Sequence, residues 1–295
     1  MNRFMHALAA GAASLLAASP AMAAWSDLNL RVGVTELSRE IYGLHMLILW
    51  ICVAIAVAVF AVMIYSIATF RKSKGAVPAT FDHNTTAEII WTVIPVLILV
   101  AMAIPATRTL VKIDDTRNSE LTVKVTGYQW KWQYEFVGEG VSFVSTLARS
   151  SDAARQLGSG VDPRSVENYL LEVDNPLVVP QGRKVRVLIT ANDVIHAWWV
   201  PDFGMKKDAI PGYINEMWFR ADFPGTYRGQ CAELCGRDHG FMPVVVQVLP
   251  PDEFDAWLLE QQAARQASRE APARSAALDD RTADQLAALR VARAE

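Results

Sequence analysis

The sequence predicts a membrane-anchored protein in which a two-helix transmembrane hairpin precedes an exported all-β domain. Three observations predict this fold class: two long uncharged stretches, a basic segment between them, and a change to two-residue periodicity after residue 120. Hydrophobic residues make up 52% of the 295 positions and charged residues only 20%, a composition that favours membrane segments. The net charge of -3 excludes a strongly basic nucleic-acid-binding protein.

The N-terminus predicts a secretory signal peptide over residues 1–23. Arg3 precedes an apolar stretch over 7–18, and Ala21-Met22-Ala23 supplies the small residues that flank a cleavage site. We expect cleavage after Ala23, because the apolar stretch is too short to span a bilayer well. The alternative is a signal anchor that stays in place.

The next segment, residues 24–112, contains the two uncharged stretches. They predict transmembrane helices at about 43–70 and 89–110, each long enough to cross a bilayer. A buried core helix is the alternative for each stretch. The connector carries Arg71, Lys72 and Lys74, so the positive-inside rule places it in the cytoplasm. We therefore expect a multi-pass protein of the bacterial inner membrane whose C-terminal domain lies in the periplasm.

Residues 113–251 form the predicted exported domain. Tyr128–Phe136 alternates aromatic and polar side chains and predicts one unbroken strand, and Lys184–Thr190 predicts another. Further β-rich runs are Leu170–Val173, Leu177–Val179, Glu216–Arg220 and Pro243–Leu249. Many short strands separated by turns indicate a β-sandwich or a barrel.

Two segments show little pattern. We interpret Ser145–Asn168 as a surface loop or short helix. Residues 252–295 form an Ala-rich, charged C-terminal tail without candidate chemistry, with a short helix expected at Glu253–Glu260.

The segment Gly229–Met242 contains the residues best suited to chemistry. It places two thiols, an imidazole and a thioether close together, and a second imidazole lies upstream at the end of an alternating strand. These candidate ligands are Cys231, Cys235, His239, Met242 and His196. Thiolate, thioether and imidazole ligands together select copper over hard metals.

The number of ligands separates the possible metal sites. A mononuclear blue-copper site uses one Cys, two His and a weak axial Met. A second cysteine allows both thiolates to bridge two copper ions, with Met242 and the carbonyl of Glu233 as weak ligands. Such a closed site favours electron transfer over hydrolysis. The alternatives are a disulfide, structural zinc and a chance grouping. The disulfide leaves the other ligands unexplained, and zinc leaves Met242 unexplained.

The same segment resembles the copper-binding segment of subunit II of haem-copper cytochrome c oxidases. The resemblance extends from about Leu44 to Leu249. The other matching stretches are Glu88–Pro95, Gly127–Trp130, Leu171–Asn175 and His196–Gly212. The resemblance implies two transmembrane helices and an all-β, cupredoxin-like Greek-key barrel.

The resemblance also implies roles for individual residues. The dinuclear CuA centre would be held by His196, Cys231, Glu233 (through its carbonyl), Cys235, His239 and Met242. The carboxylate of Glu233 would bind Mg2+ shared with subunit I. Trp130 would receive electrons from cytochrome c, although it could instead be a core aromatic on one strand face with Trp132 and Tyr134. Glu88 would lie at the mouth of a proton channel in subunit I, or would be a plain helix N-terminal charge.

The partners implied are subunit I, subunit III, cytochrome c and membrane lipid, with no nucleic acid. Four acidic residues are candidates for attracting a basic cytochrome c, or are ordinary surface charges: Glu172, Asp174, Asp193 and Asp222. Lys131 departs from the aromatic residue that many family members have there. We expect it to weaken the docking of a basic donor or to change its orientation.

The predicted function is that of the subunit through which electrons enter a cytochrome c oxidase. Electrons would pass from cytochrome c to CuA and on to haem in subunit I, where O2 is reduced to water with proton translocation. No Cys-x-x-Cys-His occurs, so an external donor is expected. The alternatives are a membrane-anchored copper carrier or assembly protein, and a quinol oxidase subunit II, which lacks the copper ligands. A nitrous oxide reductase would need a second large domain.

Overall fold

The structure is a computed structural model, and it describes residues 28–268. The predicted signal peptide and the tail beyond residue 268 lie outside the described residues. Two long helices come first, α1 (Glu36–Thr69) and α2 (Thr85–Ile113), and a short helix, α3 (Arg149–Ala154), follows later. The strands are β1 (Leu121–Tyr128), β2 (Lys131–Phe136), β3 (Val141–Ser145), β4 (Leu177–Pro180), β5 (Val185–Ala191), β6 (His196–Val200), β7 (Met205–Ala209), β8 (Asn215–Phe219), β9 (Gly225–Cys231) and β10 (Pro243–Leu249).

Both long helices are apolar enough to cross a membrane, and the most apolar window of each is 0% buried. Apolar side chains exposed along most of each helix require lipid or partner helices around them. A buried core helix is therefore not the explanation for either stretch. The helices begin earlier than predicted because their first turns are polar. Thr35 and Ser38 form a capping box at the start of α1, and the Asn84 side chain caps α2.

The predicted exported domain consists of two five-stranded sheets. The first has the order β3-β2-β1-β5-β8 and the second β4-β10-β9-β6-β7. Alternate side chains of β1 and β5 are buried, as the period-two pattern predicts. The buried aromatic rings of Trp132, Tyr134 and Phe136 lie in the core with them. The predicted fold class, a two-helix hairpin followed by an all-β domain, is confirmed.

The prediction of one strand over Tyr128–Phe136 is wrong. The chain reverses at Gln129 and Trp130, and β1 pairs with β2 in antiparallel register, with Tyr128 opposite Lys131. A two-residue turn keeps the alternation in phase, so periodicity alone does not reveal it. The predicted strand at Leu170–Val173 is also wrong, because only an isolated bridge forms there.

The chain after the sheets forms a helix over residues 251–268, which is longer than the predicted one. Phe254 is buried, and the Trp257 ring lies 5.5 Å from the Phe136 ring between centroids. Arg183 and Asp255 form an ion pair at 2.9 Å. This helix therefore packs on the β domain.

A network of charges joins the outer ends of α1 and α2 to the β domain. Lys112 Nζ lies 2.5 Å from a carboxylate oxygen of Glu36 and 2.6 Å from one of Glu40. Glu36 also accepts a hydrogen bond from Arg220 of the β domain at 3.0 Å. The Thr35 hydroxyl donates to the carbonyl of Phe203 at 2.9 Å. These contacts fix the β domain above the membrane hairpin.

Candidate metal centre

Strand pairing brings the predicted ligands together from distant parts of the chain. Cys231 ends β9, and Met242 immediately precedes β10, its antiparallel neighbour. His239 lies in the 3-10 turn between them. His196 is the first residue of β6, which pairs with β9 on its other side, so it does not end the preceding strand as predicted. One end of the second sheet therefore carries the whole cluster.

The interatomic distances place the sulfur atoms of the two cysteines at the centre of the cluster. The Cys231 and Cys235 sulfurs lie 3.8 Å apart. Cys235 Sγ is 3.5 Å from His239 Nδ1 and 3.5 Å from Met242 Sδ. Cys231 Sγ is 4.0 Å from His196 Nδ1 and 3.3 Å from the carbonyl oxygen of Glu233.

This donor set fits copper. Two thiols, two imidazoles, a thioether and a carbonyl converge on one small volume, and such soft donors favour copper. Both cysteines are free, so the disulfide alternative does not describe this structure. A structural zinc site would have no need of the Met242 sulfur, which lies among the other donors.

The centre is shielded from water. His196, Cys231, Cys235 and Met242 are all buried. Burial opposes ionisation of Cys231, but hydrogen bonds with His196, His239 and the backbone of Ala197 and Glu233 together outweigh it and lower the pKa of Cys231 to about 7. Burial and the neighbouring Cys231 thiolate raise the pKa of Cys235 to about 12. In the metal-free chain Cys235 therefore keeps its proton near neutral pH, whereas Cys231 loses its proton as the pH rises through about 7.

The two thiol pKa values predict how copper uptake depends on pH. Copper must displace the Cys235 proton at any pH near neutrality, and below about pH 7 it must displace the Cys231 proton as well. We expect the copper affinity to fall as the pH falls, more steeply below pH 7. Competition with a chelator between pH 6 and pH 8 measures this, with Cys231→Ser as the control, which should lack the break. An affinity independent of pH would contradict thiolate ligation.

Hydrogen bonds behind the ligands hold His196 in place. The His196 Nε2 atom lies 2.9 Å from the Asp193 carboxylate, which leaves Nδ1 facing Cys231. A Cβ atom on Gly127 would lie 2.8 Å from the His196 ring, so only glycine fits there without displacement. Carboxylates that bind the second nitrogen of a ligand histidine fix its orientation.

The β1–β2 turn is attached directly to the ligand loop. The side-chain amide of Gln129 donates to the Cys235 carbonyl at 2.9 Å, and the Trp130 indole N–H donates to the same oxygen at 3.3 Å. Trp130 is half-buried, whereas Trp132 and Tyr134 are fully buried. It therefore lies in the turn and does not share their strand face.

A group of side chains from the segment after β3 supports the ligand loop, and no sequence pattern predicts it. Arg155 forms an ion pair with Asp152 at 2.7 Å and lies 3.5 Å from Asp238. Its guanidinium carbon lies 4.4 Å from the centroid of the Phe241 ring. Asp238 and Phe241 flank His239. No signal in this weakly patterned segment indicated the contact, because it depends on the tertiary structure.

Arg155→Ala will loosen the loop that carries His239 and Met242. We expect copper to bind about tenfold more weakly. This is the lower end of the loss of metal affinity that follows when groups that support metal ligands are removed. Arg155→Lys should recover part of the loss, because it keeps the charge but not the planar stacking. Copper retention during dialysis against a chelator measures the effect. Arg164→Ala, an exposed arginine of the same segment, is the matched control, and equal loss in both variants would contradict the role of Arg155.

The remaining predicted site residues are Glu88 and the four candidate docking acids, of which Asp193 contacts the cluster through His196. The Glu88 carboxylate accepts a hydrogen bond from the Asn84 backbone N–H at 3.3 Å, at the first turn of α2. The four candidate docking acids each contact a different group. The contacts are Glu172 with Arg228, Asp174 with Thr146, Asp193 with His196, and Asp222 with Arg39. Two of these acids lie close to Trp130: Asp193 accepts a hydrogen bond from the Gln129 backbone N–H, and Asp174 accepts one from Thr146, which lines the same cavity as Trp130.

Comparison with known proteins adds independent information. The family model for the cytochrome c oxidase subunit II transmembrane domain matches residues 23–109, and the model for its periplasmic domain matches residues 121–249. The chain is 37% identical to cytochrome c oxidase subunit 2 of Cereibacter sphaeroides, over 85% of this chain and 89% of that one. It is 40% identical to the probable cytochrome c oxidase subunit 2 of Rickettsia prowazekii, over 80% and 72%.

A solved structure is also similar. The crystal structure of the periplasmic domain of cytochrome oxidase subunit II from Bradyrhizobium japonicum is 41% identical, with a TM-score of 0.43. The match covers 50% of this chain and 98% of that domain. The two family models together match most of the present sequence, and the relatives align along most of their length. The chain belongs to the cytochrome c oxidase subunit II family.

Proposed function

We propose that this chain is the subunit through which electrons from cytochrome c enter an oxidase whose subunit I reduces O2 to water with proton translocation. The observation that carries the proposal is the cluster around two free thiols 3.8 Å apart. A dinuclear copper (CuA) centre bound there would supply rapid one-electron transfer. His196, Cys231, Cys235, His239, Met242 and the carbonyl of Glu233 would hold it.

The chain's own residues prepare this site in three ways. The thiols and imidazoles bind the metal, and Asp193 orients His196. Burial excludes water, so the surroundings change little when the charge of the site changes. The Trp130 indole N–H, hydrogen-bonded to the Cys235 carbonyl at 3.3 Å, supports a role for Trp130 as the point where electrons enter.

Two further roles belong to the same proposal. Glu233 is exposed on the ligand loop, so its carboxylate is free to reach a Mg2+ shared with subunit I. Glu88 lies at the start of α2, where its carboxylate would take up protons from the cytoplasmic side for subunit I.

Exposed apolar side chains cover both long helices, which supports contacts with subunit I, subunit III and lipid. The family description of residues 121–249 as a periplasmic domain supports location in a bacterial inner membrane with that domain outside.

Electron paramagnetic resonance on the copper-loaded full chain, assembled in its oxidase, tests the proposal. We expect a purple protein whose unpaired electron is shared by two equivalent copper nuclei. A single-copper spectrum, or no copper uptake, would reject it. The copper-carrier alternative requires exchangeable ligands, and the burial of both cysteines disfavours it. A quinol oxidase subunit lacks these ligands and would take up no copper here.

A further inference from the structure

Two of the candidate ligands lie on paired strands that are attached to α1 at their opposite end. His196 is the first residue of β6 and Cys231 the last of β9, and these strands pair in antiparallel register. One end of the strand pair therefore carries ligands of the metal centre. The other end, called the far end below, consists of residues 201–204 after β6 and residues 220–224 before β9.

Hydrogen bonds join both segments of the far end to the start of α1. The Val34 backbone N–H donates to the carbonyl of Asp202 at 2.8 Å, and the Thr35 hydroxyl donates to the carbonyl of Phe203. The Asp222 backbone N–H in turn donates to the carbonyl of Val34 at 3.0 Å. The residues that begin α1 therefore bind the chain after β6 and the chain before β9 at the same time.

The first turn of α1 is also packed tightly against the far end. Ser38 is buried, and a Cβ atom on Gly204 would lie 2.8 Å from the Ser38 Cα atom, so only glycine allows this approach. Leu37 is buried in the same hydrophobic core as the strands. Glu36 accepts the hydrogen bond from Arg220 described above. Close packing, rather than a flexible linker, therefore connects the membrane helix to the strand pair.

We propose that the start of α1 positions the metal centre for electron transfer to subunit I, through the paired strands β6 and β9. At about 3.3 Å per residue, the five residues of β6 span roughly 15 Å. Because ladder hydrogen bonds join the two strands, a displacement at the far end is carried to His196 and Cys231 and is not absorbed by a loop.

The inference rests on the proposed function and adds positioning residues to it, namely Glu36, Ser38 and Gly204. The rate of electron transfer falls steeply with the distance between the two centres. A displacement of the β domain relative to the membrane therefore slows the step from copper to haem in subunit I. It leaves the step from cytochrome c to copper unchanged, because the donor docks on the β domain and moves with it.

Gly204→Ala in the complete oxidase tests the proposal, because the added methyl group pushes the first turn of α1 away from the far end. Gly140→Ala is the matched control. Its φ of +70° equals the +71° of Gly204 within a degree, but no atom lies within 4 Å of its Cβ. The control therefore has the same backbone strain in the β2–β3 turn without a contact with α1.

Glu36→Gln is a second variant, which keeps the test decisive if Gly204→Ala does not fold. It removes the charge that pairs with Lys112 and Arg220 and preserves the size of the side chain. Glu135→Gln is its control, because the ion pair of Glu135 with Lys124 at 3.8 Å lies within one sheet of the β domain.

Two measurements are made on each variant. Rapid-mixing absorbance gives separate rates for the reduction of copper by cytochrome c and for its oxidation by haem. We expect the second rate to fall about tenfold in Gly204→Ala, since a misplacement of about 1 Å already costs a large factor in rate, and to fall less in Glu36→Gln. Pulsed electron paramagnetic resonance gives the distance between the copper centre and a nitroxide on Cys52, the cysteine of α1. We expect this distance to shift or broaden in both variants and in neither control.

The possible results separate the inference from the proposed function. An unchanged copper-to-nitroxide distance, or a changed distance with an unchanged rate from copper to haem, would overturn the inference and leave the proposed function standing. Equal slowing of both electron-transfer steps would also overturn it, because the metal site itself would then be altered. If cytochrome c did not reduce the copper even in the unaltered oxidase, the proposed function would fail, whereas the distance would still report whether α1 positions the centre.

Discussion

Replacing Cys235 with serine will abolish the two-copper form of the centre. The Cys235 sulfur contacts Cys231, His239 and Met242, so its loss removes the donor that joins the two halves of the cluster. A serine hydroxyl is a hard, neutral donor that does not replace a thiolate for copper. We expect copper affinity to fall by more than about 100-fold, because even groups behind the ligands cost 10–100-fold.

Copper-to-protein ratio and electron paramagnetic resonance measure this loss. Cys52→Ser is the matched control, since it makes the same substitution at an exposed cysteine of α1. We expect Cys52→Ser to bind copper as the unchanged chain does. A normal two-copper spectrum in the Cys235→Ser variant would mean that Cys235 is not a ligand, and the proposed assignment of the centre would fail.

Gly229→Ala will disrupt the β domain and its metal site together. A Cβ atom on Gly229 would lie 1.9 Å from the carbonyl oxygen of Trp199 on β6. Both groups belong to paired strands, so the clash is relieved only by moving β6 away from β9. That movement separates His196 from Cys231, whose neighbour across the ladder is Trp198. We expect the free energy of unfolding to fall by about 3 kcal/mol, which is the upper part of the usual destabilisation caused by overpacking.

Thermal unfolding followed by circular dichroism, together with copper uptake, measures the effect. Gly240→Ala is the control, because no atom lies within 4 Å of a Cβ at that exposed position of the ligand loop. Surface changes of this kind usually stay within about 0.5 kcal/mol. If Gly229→Ala unfolded at the same temperature as Gly240→Ala, the close approach of β6 and β9 would not be a determinant of stability.

Composition and local pattern were sufficient for several features. The uncharged stretches predicted both membrane helices, because a helix in lipid needs apolar side chains on every face. Alternation predicted β5, because half its side chains point into the core. The spacing of the soft donors after Gly229 predicted their grouping, since neighbours in sequence are never far apart in space.

Strands β7 and β9 were not predicted from the sequence, because their polar and apolar residues do not alternate regularly. β7 exposes the charged residues between its buried ends, and β9 is half exposed at its start. The reversal at Gln129 and Trp130 was hidden because the alternation continues in phase through the turn. Local periodicity reports which face a side chain occupies, and it does not report where the chain changes direction.

The sequence by itself determined the two apolar helices, the β class of the domain that follows them and the chemical types of the candidate metal ligands. These depend on hydrophobicity, alternation and donor type, which are properties of residues and short segments. Only the tertiary structure decided that Arg155 packs on the ligand loop, that Trp130 lies in a turn against Cys235, and that Arg237 lies over the Trp130 ring. Such contacts join segments distant in sequence, and strand pairing and packing of the whole domain determine which of them meet.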